Sequence, residues 1–311
     1  MPIPDGWSGL SLPAIAAPMF LTSGPDLVVG TCNCGIVGTF PALNQRSTEG
    51  FGDWLDEIAG RCGPRAAPFG VNLVVHRSNA RLQADLAMVV EKKVPLVITS
   101  LGAVADVVGA VHSYGGLVFH DVIRTRHAEK AAEAGVDGII AVAAGAGGHA
   151  GQISPFALIP EIRRVFDGTI VAAGAINTGA QIAAARLMGA DMAYLGTRFI
   201  ATDEAMVDEE YKRMILDVDA DDILYTPAIS GVSANFMRPS VLRAGLDPDN
   251  LDAPRPMDLE GEARAWSQVW SAGQGAGGID DIVPVEALCT RLGDEYRQAM
   301  AMAAADPFAT G

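Results

Sequence analysis

Short apolar runs alternate with helical patterns from the start of the chain to about residue 200. Several runs, such as Ile139 to Val142, are apolar throughout, which is typical of parallel strands covered by helices. The predicted strands are Leu12–Ala17, Ile36–Phe40, Ala67–Leu73, Pro95–Ser100, Gly116–Asp121, Val136–Val142, Thr169–Gly174 and Asp191–Thr197. The predicted helical stretches include Asp26–Cys34, Ser78–Lys92, Arg126–Ala134, Pro155–Phe166 and Thr178–Met188.

This order of elements is that of consecutive β/α units. Eight units between Leu12 and Thr197 take about 23 residues each, which fits a closed (β/α)8 TIM barrel better than an open sheet of five or six strands. We therefore predict an α/β protein whose barrel covers residues 1–202.

The strand pattern ends after Thr197. Aromatic, proline and acidic positions over 203–272 predict a smaller, mostly helical insertion between strand 8 and the C-terminal helix. Apolar residues at helical spacing over Glu286–Met302 predict that closing helix, in a segment 273–311 that returns to the barrel. The insertion is a candidate for one wall of the pocket or for a homodimer contact.

Composition narrows the class of protein. The chain has 311 residues, half of them apolar, so it can bury a large core. Its net charge of -15 and the lack of a basic cluster argue against nucleic-acid and anionic-membrane partners. Four scattered cysteines and the absence of a signal peptide or a bilayer-length apolar stretch predict a soluble cytoplasmic protein with reduced thiols and no metal site.

The glycine-rich segment 145–151, which contains His149, follows the sixth predicted strand. Glycine lets a backbone approach a ligand closely, and His149 is the only group there that exchanges protons near neutral pH. Three interpretations compete: a catalytic or ligand-binding loop, a dinucleotide fingerprint, and a surface loop with an incidental histidine. The spacing Gly145, Gly147, Ala150 fits the fingerprint, but the next helix is expected only at Ser154-Pro155 and no acidic residue follows at the required distance. We favour the catalytic or ligand loop.

In a TIM barrel the active site lies at the carboxyl ends of the strands. Small residues follow strands 7 and 8, at Gly174 to Asn177 and Gly196 to Arg198, where such barrels bind phosphate. Because the chain has no P-loop lysine, no Rossmann acid and no lysine at a strand end for a Schiff base, FMN is the simplest phosphate-bearing cofactor.

The chain resembles the flavin-dependent nitronate monooxygenases, formerly called 2-nitropropane dioxygenases. The similarity covers nearly the whole chain, and the Gly-Gly-His-x-Gly element is its specific part. Its motifs are Ala16-Ala17-Pro18-Met19, Gly70-Val71-Asn72, Gly147-Gly148-His149-Ala150-Gly151, Ala173-Gly174-Ala175-Ile176, Leu195-Gly196-Thr197-Arg198-Phe199 and Trp270 to Gly275. NAD(P)H:quinone reductases and flavin-dependent enoyl-acyl-carrier-protein reductases belong to the same superfamily.

The resemblance implies an FMN-dependent oxidoreductase that converts a small-molecule nitronate and O2 into a carbonyl compound and nitrite. His149 would be its catalytic residue, as a base or as the group that binds the anion. Pro18, Met19, Asn72, Ser100 and Gly147 would border the ring or ribityl chain, with Ala17 and Gly148 beside them, and Ala173, Gly174, Ala175, Gly196 and Thr197 would hold the phosphate. The alternative function is an NAD(P)H-dependent flavin reductase of quinones or enoyl thioesters.

One departure concerns the end of strand 5. Relatives such as the quinone reductases carry a lysine there, where this chain has His120-Asp121-Val122. A carboxylate would oppose an anionic reduced flavin, and a cationic His120 would partly substitute for the lysine. Since adjacent strand residues face opposite ways, the pattern leaves open which of the two side chains faces the barrel mouth.

Overall fold

The computed structural model describes residues 3–102, 105–254 and 265–308. Parallel strands close into a barrel, because the first strand pairs with both the second and the last. In order around the barrel they are β1 (Ala14–Ala16), β2 (Val37–Pro41), β3 (Phe69–Val74), β4 (Leu96–Ser100), β5 (Leu117–Val122), β6 (Gly138–Val142), β8 (Thr169–Ala173) and β9 (Met192–Leu195). The predicted (β/α)8 barrel is confirmed, and each of its strands overlaps a predicted one.

Helices cover the outside of the barrel. They are α1 (Pro25–Asn33), α2 (Thr48–Arg61), α3 (Leu82–Lys92), α4 (Ala105–His112), α5 (Thr125–Glu133), α6 (Pro155–Arg163), α7 (Gly179–Leu187) and α8 (Thr197–Ile200). As predicted, α6 starts at Pro155 with Ser154 as its N-cap. The predicted strand Asp191–Thr197 was two residues too long at its end, since Gly196 caps α8 and Thr197 begins it.

Both faces of the barrel strands are buried, one in the barrel interior and the other under the helices. Side chains from nearly every strand, such as Ile98, Phe119 and Ile140, fill the interior. The intervening residues, such as Val97, Val118 and Ile139, pack under the helices. This arrangement explains the continuous apolar runs in the sequence.

In its described residues, the insertion after the barrel contains the helices α9 (Glu209–Asp217) and α10 (Arg238–Arg243). It also contains two strands that the sequence analysis did not predict, β10 (Ile223–Thr226) and β11 (Ala234–Met237). They form an antiparallel sheet with β7 (Gly148–His149), which lies in the glycine-rich segment. The insertion therefore reaches the histidine of that segment directly.

The last helix, α11 (Val285–Ala304), packs against α7 and α1 and buries Leu288 and Leu292. It confirms the predicted closing helix over Glu286–Met302, which begins one residue earlier and ends two residues later than expected. Among the helices within the described ranges, none is long and apolar enough to cross a membrane.

Candidate active site

A chain of hydrogen bonds crosses three strands at the carboxyl end of the barrel. Asn72 Nδ2 on β3 donates to Ser100 Oγ on β4 over 2.8 Å, and the Ser100 hydroxyl donates to Asp121 Oδ2 on β5 over 2.5 Å. An amide nitrogen can only donate, so the single hydroxyl proton of Ser100 points to Asp121. Two predicted cofactor residues, Asn72 and Ser100, are therefore in contact, and Asp121 joins them.

Asp121 is in an environment that favours its neutral form. Its Oδ1 atom is buried and has no hydrogen-bond partner in the described part of the chain. Desolvation raises the pKa of the carboxyl to about 6, although the Ser100 hydrogen bond and the charge of His149 act in the opposite direction. The carboxyl therefore titrates near neutrality, whereas an exposed aspartate is ionised there.

Tyr194 on β9 faces the same interior, since it packs against the core that fills the barrel. Its hydroxyl oxygen is buried without a partner among the residues described. Burial and the charge of Asp121 hold the pKa of the phenol well above its usual value, so the hydroxyl remains a donor at physiological pH. The sequence analysis missed Tyr194, although its spacing of two from Met192 placed both on one face of the strand.

His120 faces the other way. Its Nδ1 lies 2.8 Å from Thr99 Oγ1, and its neighbours Val118 and Val122 pack in the core under the helices. Burial lowers the pKa of His120 to about 4, so its imidazole is neutral at physiological pH. The suggestion that a cationic His120 replaces a lysine in the barrel mouth is therefore wrong, because the side chain is neutral and lies outside the barrel.

The glycine-rich segment closes over the barrel interior. Ala146 and Ala150 are buried against the interior core, which argues against the interpretation of a surface loop with an incidental histidine. His149 lies on β7, opposite Ala234 of β11. Its ring is edge-on to Trp266, with 5.6 Å between ring centroids, and its charge acts on Asp121. The imidazole therefore belongs to the same site as Asp121.

The C-terminal half of the chain fixes this segment by hydrogen bonds. Gly148 N donates to Ser271 Oγ over 2.8 Å, and the Ser271 hydroxyl donates to the Asn235 carbonyl over 2.6 Å. The Asn235 amide donates to the Ala146 carbonyl over 2.6 Å. Tyr225 donates its hydroxyl to the carbonyl of Ala150 over 3.1 Å. These partners were not identified from the sequence, because no local pattern marks a contact between residues 123 positions apart.

The turns after β8 and β9 meet the glycine-rich segment at one place. The Gly145 carbonyl accepts hydrogen bonds from Ala175 N at 3.3 Å and from Gln274 N at 2.9 Å. Thr197 Oγ1 accepts from Gly273 N at 2.8 Å. A Cβ atom at position 147 would lie 2.9 Å from that same Gly273 nitrogen, so the close approach requires glycine there. The predicted phosphate-binding residues are thus near one another.

The remaining predicted residues lie at the end of β1. Ala17 N donates to the Leu195 carbonyl over 2.8 Å. A Cβ atom at Gly196 would be 3.7 Å from both Ala17 Cβ and Met19 Sδ, so this end of β1 adjoins the turn after β9. Asn44 holds the Met19 carbonyl by a 3.1 Å hydrogen bond. The structure therefore places the whole predicted set at the carboxyl end of the barrel.

Comparison with known proteins decides the family. The family model for nitronate monooxygenase matches residues 6–295 of this chain. The chain belongs to the nitronate monooxygenase family. As the resemblance in the sequence implied, this nitronate monooxygenase family member is an oxidoreductase.

Relatives of this family member carry more than one enzyme name. A nitronate monooxygenase of Paraburkholderia phytofirmans is 28% identical, over 94% of this chain and 94% of that protein. A (3aS,4S,5R,7aS)-5-hydroxy-7a-methyl-1-oxo-octahydro-1H-indene-4-carboxyl-CoA dehydrogenase of Rhodococcus jostii is 28% identical over 225 residues, which cover 72% of this chain and 62% of that protein.

Solved structures share the fold. Nitroalkane oxidase from Streptomyces ansochromogenes superposes with a TM-score of 0.81 at 25% identity, over 94% of this chain and 97% of that chain. FabK from Thermotoga maritima also has a TM-score of 0.81, at 23% identity, over 96% of this chain and 97% of that chain. At that identity the second likeness concerns the fold alone.

Proposed function

We propose that this protein is an FMN-dependent nitronate monooxygenase that oxidises alkyl nitronates with O2 to carbonyl compounds and nitrite. The observation that carries the proposal is the position of His149 on β7, in the segment that closes over the barrel interior, in a chain whose family match spans residues 6–295. An imidazole is the side chain best suited to hold an anion or to move a proton near neutral pH.

The residues at the mouth fit FMN in two respects. Asp121 Oδ1 and the Tyr194 hydroxyl are buried polar atoms without partners in the described ranges, and such atoms require a polar ligand. The small residues Gly174 and Gly196 follow the adjacent strands β8 and β9 at their carboxyl ends, the position where TIM barrels bind phosphate.

We assign the residues to the parts of the cofactor as the family motifs imply. The phosphate group would contact Ala173, Gly174, Ala175, Gly196 and Thr197. The isoalloxazine ring and ribityl chain would be bordered by Ala17, Pro18, Met19, Asn72, Ser100, Gly147 and Gly148. When bound, FMN supplies the one-electron redox chemistry that couples the substrate to O2.

The net reaction needs no further reductant. Two nitronate anions and one O2 give two carbonyl compounds and two nitrite ions, so each C–N bond is replaced by a C=O bond whose oxygen comes from O2. Among the side chains of this protein, His149 either removes the α-proton of a nitroalkane or, as the imidazolium, binds the nitronate oxygens. Trp266 packs edge-on against the imidazole and restricts its orientation.

Anaerobic flavin reduction tests this function. The FMN-loaded protein is mixed without oxygen with ethyl nitronate, propyl-2-nitronate, NADH or NADPH, and flavin absorbance is followed. We expect bleaching by the nitronates and, in air, nitrite formation with O2 consumption. Protein that remains without flavin absorbance after FMN is added contradicts the proposal. Bleaching by NADH or NADPH alone favours the alternative reductase, which the dehydrogenase relative makes worth testing.

The role of His149 is tested by substitution. His149→Ala should lower kcat/KM for nitronates by about 10²–10⁴-fold, the usual contribution of a positioned acid or base, while FMN is retained. His76→Ala, at a histidine on a loop after β3, is the matched control and should be unchanged. A variant His149→Ala with unchanged turnover excludes this histidine as the catalytic residue.

A further inference from the structure

The role of His149 leaves two buried polar groups of the barrel interior unused. Asp121 on β5 and Tyr194 on β9 come from strands that are separated by β6 and β8. Their side chains nevertheless face one interior, because Tyr194 packs against the core that fills the barrel and Asp121 is on the same face of β5 as Phe119 of that core. Both residues keep some exposed surface, while Asp121 Oδ1 and the Tyr194 hydroxyl oxygen are buried.

The directions of the hydrogen bonds determine which atoms of Asp121 and Tyr194 can donate to a ligand. The relay from Asn72 through Ser100 ends on Asp121 Oδ2, which accepts the Ser100 proton. A proton on the carboxyl must therefore lie on Oδ1, which then points a donor away from the relay. The Tyr194 hydroxyl adds a second donor, and neither atom has an acceptor within the described ranges.

The charge of His149 and the Ser100 hydrogen bond favour the ionised form of Asp121, but desolvation outweighs both. No salt bridge involves Asp121 within the described residues, and these residues contain no group of three potential metal ligands. Leaving a buried charge unpaired costs far more than protonating it. The neutral acid is the form that fits the site.

We propose that neutral Asp121 and Tyr194 are a two-donor site for a carbonyl or oxyanion oxygen, supplied either by the pyrimidine ring of the flavin or by the nitronate. This inference rests on the proposed function, since it takes its ligands from there. The two donors stabilise negative charge that develops on the bound oxygen. The proton stays on Asp121, so the site binds and orients but transfers nothing.

The experiment measures binding, without turnover. FMN and, separately, sodium nitrite are titrated calorimetrically into the full chain and its variants between pH 5 and 8. Asp121→Asn keeps a donor and an acceptor in the shape of the neutral acid, Asp121→Leu removes both, and Tyr194→Phe removes the hydroxyl. Tyr114→Phe is the matched control, because that hydroxyl donates to the Val94 carbonyl away from the mouth. Circular dichroism checks that each variant is folded.

We expect Tyr194→Phe and Asp121→Leu to bind one of the two ligands about tenfold more weakly, the value of a buried hydrogen bond. The affinity of Asp121→Asn for that ligand should be within about threefold of the original protein's at pH 6, because the amide makes a hydrogen bond of similar strength. The original protein should lose affinity as pH rises above 6, and Asp121→Asn should lose less. His149 on β7 and Tyr194 on β9 are the ionisable groups whose charge interacts with Asp121, so the comparison is made with both present.

The outcomes separate the possible ligands. Weaker FMN binding by the variants assigns the site to the flavin, and weaker nitrite binding alone assigns it to the substrate. If the variants bind both ligands as tightly as the original protein, the inference is overturned. If Asp121→Asn binds as weakly as Asp121→Leu, the claim that Asp121 acts as a neutral acid is overturned. If the original protein binds no FMN, the proposed function is contradicted instead. If the original protein binds FMN and the variants bind both ligands equally well, only the two-donor site is contradicted.

Discussion

His120 and Asp121 are adjacent in β5 and have opposite environments. Asp121 faces the barrel interior, where desolvation raises its pKa, and His120 faces the helices, where desolvation lowers its pKa. In both cases burial disfavours the charged form, which is the negative form for the acid and the positive form for the base. The two adjacent residues therefore lie in separate environments, one inside the barrel and one under the helices.

The environment of His120 predicts a dependence of stability on pH. Its pKa is about 4 in the folded protein and 6.5 when unperturbed, so between these values the unfolded chain binds a proton that the folded chain does not. Stability therefore falls as pH decreases from 6.5 to 4. The free energy of unfolding of His120→Asn, relative to that of the original protein, should rise by about 1–3 kcal/mol between pH 7 and pH 4, measured by urea unfolding.

Asparagine is chosen because its amide can keep the hydrogen bond that His120 Nδ1 makes with Thr99. Asp121 has the opposite pH dependence in this range, but it is present in both proteins and cancels in the difference. A stability difference between the two proteins that is the same at pH 7 and pH 4 would show that His120 is not the titrating group.

The helices α7 and α11 pack closely against each other on the outside of the barrel. Gly179 begins α7, and its N–H donates to Glu295 Oε2 on α11 over 2.7 Å. A Cβ atom at Gly179 would lie 2.1 Å from the Leu292 carbonyl oxygen and 2.4 Å from Tyr296 N. Both are backbone atoms, so no side-chain rotation can relieve the overlap.

We predict that Gly179→Ala destabilises the protein by about 1–3 kcal/mol or more, since the two helices must move apart. Helix propensity would favour alanine by about 1 kcal/mol, so the overlap outweighs it. The matched control is Gly109→Ala in α4, where a Cβ atom meets nothing within 4 Å and alanine should stabilise the helix. Thermal unfolding of both variants tests the pair, and equal shifts in Tm would contradict the packing argument.

The insertion and the barrel jointly position His149. The strand β7 pairs with β11 of the insertion, and Ser271 joins both to the segment before the last helix. Ser271→Ala should destabilise the protein by about 1–3 kcal/mol, because the part-buried Gly148 N–H and the buried Asn235 carbonyl lose their partner.

The same variant tests whether the insertion matters for catalysis. With β7 less well held, kcat/KM for nitronates should fall about tenfold, with a smaller loss of FMN affinity because Gly147 and Gly148 are only two of the residues assigned to the cofactor. Thr290→Ala removes an exposed hydroxyl on α11 and should have no effect on either quantity. A loss of FMN affinity as large as the fall in kcat/KM would show instead that the segment serves the cofactor alone.

Much of this architecture follows from local pattern. The apolar runs, the spacing of the β/α units and the Ser154-Pro155 helix start were sufficient to predict the barrel and its order. The strands β10 and β11 were not predicted, because they have four residues each and no periodic pattern of apolar residues around them. Residues at strand ends such as Asn72 and Ser100 were predictable as neighbours, because parallel strands bring their carboxyl ends together.

The order of hydrophobic runs along the chain was enough to establish a closed barrel with a glycine-rich, histidine-bearing segment at its carboxyl end. Only the folded structure shows that Asp121 and Tyr194 face the barrel interior. It also shows that Asn235 and Ser271 hold the segment that contains His149. The physical reason is twofold. Both faces of each barrel strand are buried, so an apolar run does not reveal which residues point inward. The hydrogen bonds that hold the histidine join segments far apart in the chain, where no local preference acts.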